Sequence, residues 1–160
     1  ETMNVEDLTR LIEQMKIGTV PSRLVFIWAG SFVSIDKFLE GIEVHRRDLA
    51  DSGDSGDGNK ETQKCLETEL KSICKHFEET RNEPAVLVVD NAILLMRYGC
   101  DLSSVFQYGI SPRAAVILIM PKESHRHLPP KTDGWVKRNT KELMTRMAKQ
   151  LGTPNCIIDV

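Results

Sequence analysis

The sequence predicts an α/β fold in three layers, a mostly parallel sheet of four or five strands with helices on both faces. Three observations predict it. Ala85-Val86-Leu87-Val88-Val89 and Ala114-Ala115-Val116-Ile117-Leu118-Ile119 are short apolar runs rich in β-branched residues, the composition of strands buried on both faces. About one helix's worth of chain separates them, so they read as parallel strands joined by a crossover. Leu24-Val25-Phe26-Ile27-Trp28-Ala29 is a third run of the same kind, and it ends at Gly30-Ser31. A chain of 160 residues suits one domain with a full core, spanning 1–160.

Taken in order, Val5, Leu8, Leu11, Ile12 and Met15 fall on one helical face and predict a first helix near residues 4 to 16. Gly18 and Pro21 stop it. After the Leu24 strand, Ser34 is placed to cap a second helix with Asp36 in its first turn and Phe38, Ile42, His45 and Leu49 on one stripe. The stretch 51–60 begins Asp-Ser-Gly-Asp-Ser-Gly-Asp-Gly. Its carboxylates repeat every three residues, which is not the spacing of an EF-hand calcium loop, so it reads as a solvated acidic loop. Leu66, Leu70, Ile73 and Phe77 then predict a well-defined amphipathic helix.

Beyond the Ala85 strand, Ala92 to Met96 are apolar all round and suit a buried helical turn. Leu102, Val105 and Phe106 give a further short helical face, capped by Asp101. Residues 122–138 carry Lys122, Arg126, Lys131, Lys137 and Arg138 against Glu123 and Asp133, a local charge of +3. Pro129, Pro130 and Gly134 predict an irregular basic loop there. Asn139 and Glu142 have the spacing of a capping box opening a last helix, with Leu143, Met147 and Leu151 inward. Cys156-Ile157-Ile158 reads as a final short strand.

Composition bounds the function. A net charge of -2 with 41% hydrophobic and 28% charged residues gives no global attraction to nucleic acid or membrane, so such binding needs a local patch. No apolar run approaches the ~20 residues of a membrane helix. Four cysteines without CxxC spacing are expected to be reduced thiols of a cytoplasmic protein. There is no nucleophile elbow and no paired-carboxylate pattern of a glycosidase.

The order strand, glycine turn, helix, then a hydrophobic strand ending in aspartate, resembles a P-loop NTPase core of the RecA or AAA type. On that resemblance Val86-Leu87-Val88-Val89-Asp90 is similar to a Walker B strand, which implies a Mg²⁺-positioning role for Asp90. Asn91 stands where active ATPases of this branch usually carry a water-activating glutamate. The phosphate loop departs from G-x-x-x-x-G-K-[ST]: from Gly30 the chain reads Gly30-Ser31-Phe32-Val33-Ser34-Ile35-Asp36-Lys37. Ile35 holds the second glycine position, and Lys37 falls one place late, about 100° around a helix. The resemblance therefore implies a P-loop-NTPase-like fold with a degenerate Walker A and ATP/Mg²⁺ as the cofactor to test. Gly30, Ser31, Ser34, Lys37, Asp90 and Asn91 are the residues nearest it, and none is assigned as catalytic. Size and element order also resemble the small P-loop component of bacteriophage-exclusion (BREX) defence systems.

Each of these residues has a plainer reading. Asp90 either binds a ligand or caps the helix that follows it. His45 reads as a half-buried packing residue, and His125 with His127 as part of the basic loop rather than a metal pair. In a parallel sheet, Gly30, Asp90 and Lys122 all leave the same carboxyl edge, where open α/β sheets bind ligands. Lys122, Arg126, Lys131, Lys137 and Arg138 there would meet phosphates, and Trp135 either stacks on a base or packs under the loop. The leading expectation is a scaffold or regulatory subunit of a DNA-transacting complex, with weak or absent nucleotide binding. It would associate with other protein subunits or with itself. The alternative is a nucleic-acid-binding module that uses the 122–138 segment and has no nucleotide site.

Overall fold

The computed structural model describes residues 2–19, 24–28, 34–49, 59–107, 113–120, 130–151 and 157–158, with side chains of the C-terminal helix described from Lys141 onward. The fold is α/β, with all six strands parallel. In chain order the elements are β1 (Thr2–Met3), α1 (Val5–Ile17), β2 (Leu24–Trp28), a 3₁₀-helix (Ser34–Phe38), β3 (Glu43–Asp48), α2 (Asn59–Thr80), β4 (Ala85–Asp90), α3 (Ile93–Arg97), α4 (Ser104–Gln107), β5 (Ala114–Ile119), α5 (Pro130–Leu151) and β6 (Ile157–Ile158). The strands lie in the order β1-β6-β2-β5-β4-β3. Four are of five or six residues; the other two, β1 and β6, have two each and extend the sheet past β2.

Side chains alternate between the sheet's faces, as a period of two requires. Val25, Ile27, Leu87, Val89, Val116 and Leu118 face one way, against Leu66, Leu70 and Phe77 of α2 and Leu143, Met147 and Leu151 of α5. Phe26, Trp28, Val86, Val88, Ile117 and Ile119 face the other way, against Leu8, Ile12 and Met15 of α1 and Ile35 of the 3₁₀-helix. The connections running from β3 through β4 and β5 to β6 all pack on the first face. Those running the opposite way, β1 to β2 and β2 to β3, pack on the second. A single handedness of crossover demands that split.

Local chemistry accounts for the ends of α1. Asn4 accepts a hydrogen bond from the Asp7 N–H at 2.8 Å and caps the start. Gly18, at φ 77°, sits in the left-handed region that closes a helix and donates its N–H to Gln14 and Met15 carbonyls.

Three expectations are corrected. Residues 34–49 do not form a second helix: after five residues of 3₁₀-helix the chain turns at Gly41 (φ 76°) and becomes strand β3. His45 and Leu49 nevertheless share a face, because positions four apart also coincide at a period of two. Residues 130–138 are not irregular: α5 starts at Pro130 and runs through Gly134. Proline suits a first helical position, where its missing N–H would have no partner, and one internal glycine costs only about 1 kcal/mol. Asn139 therefore lies within α5 and does not open it. The parallel α/β sheet is as expected, and β3 and the two-residue β1 join the four strands read from the sequence. Positions 51–58 lie outside the described residues.

Candidate functional site: the carboxyl edge around Asp90

β4 is buried along its whole length, Ala85 to Asp90, and it delivers Asp90 to the carboxyl edge of the sheet. Asp90 is 9% exposed and Asn91 only 1%. A buried carboxylate needs a charged or hydrogen-bonded partner, and β3 provides it. Asp48 is the register partner of Asp90, so both carboxylates project on the same face. Arg46, two residues earlier on that face, reaches diagonally to Asp90. Its Nε donates to Asp90 Oδ2 at 2.7 Å and its terminal nitrogen to Oδ1 at 3.0 Å. This is the planar fork-to-fork geometry that makes Arg–carboxylate pairs strong.

Asn91 completes the corner. Its backbone has φ 56°, a left-handed conformation that asparagine tolerates better than most residues. From there its Nδ2 donates to Asp48 Oδ1 at 2.6 Å. Its Oδ1 is buried and has no hydrogen-bond partner among the described residues. The Ala92 N–H donates to the Ile119 carbonyl at 3.1 Å, so the backbone just past Asn91 is tied to β5.

Asp90 does not cap the following helix. The N-cap of α3 is Ala92, which has no side-chain cap, and both Asp90 oxygens turn to Arg46. Sequence reasoning missed Arg46 and Asp48 because it placed them on a helix. The one available signal was Gly41, which closes the preceding turn and sits poorly inside a helix.

The topological switch point lies between β2 and β5, whose outgoing connections leave in opposite directions. Trp28 and Ile119 are register partners at that edge. Two strand spacings, about 10 Å, separate β4 from β2. Gly30, Ser31, Lys122, Arg126, His125 and His127 lie outside the described residues. Ser34 begins the 3₁₀-helix and Lys37, within it, is exposed. Lys131, Trp135, Lys137 and Arg138 are carried by α5. The helical repeat sets positions 131, 135 and 138 on one stripe, opposite that of Leu143, Met147 and Leu151.

A second polar cluster lies at the other end of β3. His45, its side chain 15% exposed, meets the Phe77 ring edge-on at 5.1 Å, and its Nε2 is 3.4 Å from Glu43 Oε1. Arg81 stands over the same ring at 5.3 Å and pairs with Glu78 at 2.9 Å. The Asn82 backbone N–H, then the His45 imidazole, hold the Glu43 carboxyl below its usual range. This cluster packs helix to strand, the plainer reading of His45.

Among the described residues no three or more His, Cys, Asp or Glu side chains are grouped to hold a metal, and no helix is long and apolar enough to cross a membrane. No protein-family model matches the chain, and no match is found among curated proteins or solved structures.

Proposed function

We propose that this chain is a P-loop-like subunit with a degenerate phosphate corner. It is a scaffold or regulatory member of a cytoplasmic, DNA-transacting complex, with weak or absent nucleotide binding of its own. The Arg46–Asp90 pair carries this reading. In a working site of this kind the strand-end acid holds Mg²⁺ against the phosphates. Here both acidic oxygens are directed to a guanidinium, and the residue that follows is an amide, which cannot act as a general base. The late position of Lys37 agrees with the same conclusion. Among the described residues Cys65, Cys74 and Cys100 form no disulfide, which fits a reducing compartment. Layout alone supports the narrower assignment to a phage-exclusion system.

Calorimetric titration of ATP and ADP, with and without Mg²⁺, tests the proposal. The expected dissociation constant is ~1 mM or weaker, with no turnover. Tight Mg²⁺-dependent binding that disappears in Asp90→Ala would replace the scaffold with a nucleotide sensor.

A second reading is a nucleic-acid-binding module with no nucleotide site. It is favoured by the helical stripe through positions 131, 135 and 138, which aligns two basic residues and a tryptophan in the sequence. Under it, replacing Lys122, Arg126, Lys131 and Arg138 by alanine lowers DNA affinity and flattens its salt dependence by about one unit of slope per lost phosphate contact. Asp90→Ala leaves both unchanged.

A further inference from the structure

We propose that the outer face of α2 is a docking surface for the phosphate backbone of duplex nucleic acid, carried by Lys60, Lys64, Lys71 and Lys75. The readings above leave α2 without a role, and this one uses neither a nucleotide nor the 122–138 segment.

Helical spacing puts the four lysines in one row. They follow one another at four, seven and four residues, with Thr68 filling the gap. At 100° per residue all five positions fall within about 80° of one another, and the row is about 22 Å long. Leu66, Leu70, Ile73 and Phe77 hold the other side of α2 against the sheet. The row therefore points away from the core, and all four lysines are exposed.

Lysines on a surface helix can be neutralised by glutamates three or four positions away. That does not happen here. Glu67 and Glu78 border the row on one side, and both are turned to other partners. Glu67 Oε2 accepts the Asp101 N–H at 2.7 Å, and Glu78 Oε1 accepts from Arg81 at 2.9 Å. Glu61 and Glu79 border the other side and are exposed. None of the four lysines makes an ion pair or hydrogen bond among the described residues. The result is a line of positive charge about one side chain wide.

Shape and chemistry select the partner. Duplex DNA is a straight rod with one negative charge per ~1.7 Å of axis, and the row spans roughly six to seven of its base pairs. A membrane surface calls for an apolar face turned outward, whereas the exposed residues of α2 include no Leu, Ile, Val, Phe or Trp. No arginine, amide or aromatic side chain stands on the row to read base edges, so the contact is with the backbone and carries no sequence preference.

Fluorescence anisotropy of the full chain with a labelled short DNA duplex of arbitrary sequence, over a range of salt, tests the proposal. Replacing all four lysines by glutamine, a comparable helix former, is expected to weaken binding at least ~10-fold at low salt. The slope of log affinity against log salt should become shallower by about 3–4 units. Arginine at the same four positions keeps the charge and should keep the affinity. Lys64→Gln with Lys71→Gln should weaken binding more than Arg10→Gln with Lys16→Gln, an equal charge change on α1 at the opposite face of the sheet. The proposal is overturned if the wild type does not bind the duplex, if the fourfold glutamine variant binds as the wild type does, or if the two pairs lose equally. Preference for phosphatidylserine vesicles over DNA would also overturn it. Loss confined to the variant at Lys122, Arg126, Lys131 and Arg138 would overturn the α2 surface and uphold the second reading, while the ATP titration decides the scaffold reading separately.

Discussion

Arg46 reaches past its own register partner, Val88, to hold both oxygens of Asp90 on the neighbouring strand. The two members of the pair differ in what they can do alone. Asp90 is enclosed and stands beside Asp48, whereas Arg46 is partly open to water.

That difference predicts unequal costs. Arg46→Ala strands a nearly buried carboxylate next to another and is expected to cost about 2–3 kcal/mol, below the full penalty for a broken buried pair because the arginine is partly exposed. Asp90→Ala lets Arg46 hydrate and removes the repulsion with Asp48, so it is expected to cost only about 1 kcal/mol. Urea unfolding of the two variants checks the order. Equal losses would mean that the pair acts as a simple surface bridge.

At Asn91, backbone conformation and side-chain bonding can be separated. Asn91→Gly loses the bond to Asp48 but accepts φ 56° without strain. Asn91→Ala loses the same bond and adds a left-handed Cβ, roughly 1–2 kcal/mol. Thermal and chemical unfolding should therefore rank wild type above glycine, and glycine above alanine.

Phe77 anchors α2 on the sheet, 1% exposed, with His45 at its edge and Arg81 over its face. Phe77→Ala is expected to cost about 3–5 kcal/mol. Phe77→Leu fills most of the volume and should cost more modestly, near 1.5 kcal/mol. A chain that keeps its midpoint in Phe77→Ala would contradict the packing described.

The cysteines differ in reactivity. Cys65 is exposed, whereas Cys100 is buried and its Sγ donates to the Gln63 carbonyl at 3.7 Å. Burial, and then the nearby Glu67 carboxylate, push the Cys100 thiol up to about 12. Alkylation near pH 8 followed by peptide mapping should label Cys65 well before Cys100, because the thiolate is the reactive form. The folded state favours the protonated Cys100 thiol. Its stabilising contribution is full below the ordinary value of 9.0 and is lost as pH rises toward about 12. Cys100→Ser should flatten that alkaline decline.

Much of the fold was legible in the chain. The runs at Leu24, Ala85 and Ala114 became β2, β4 and β5 because strands buried on both faces must be apolar throughout. The stripes of α1 and α2 became helices because their apolar spacing fits only a period near 3.6. Asp90 could be placed at the carboxyl edge for the same reason. Its partner could not, since Glu43-Val44-His45-Arg46-Arg47-Asp48 contains one aliphatic residue and no apolar run. A strand at the outer position, bordered among the described residues only by β4, tolerates such charge on its faces and uses it to discourage edge pairing.

The sequence by itself determined the fold class, the three central strands and the acid at the end of β4, because burial on both faces dictates composition. Only the tertiary structure decided that residues 43–48 are a strand, that α5 begins at Pro130, and that Arg46 and Asp48 meet Asp90 and Asn91. Those contacts join residues more than forty positions apart, and no local spacing encodes them. Register sets them, and register exists only once the strands lie side by side.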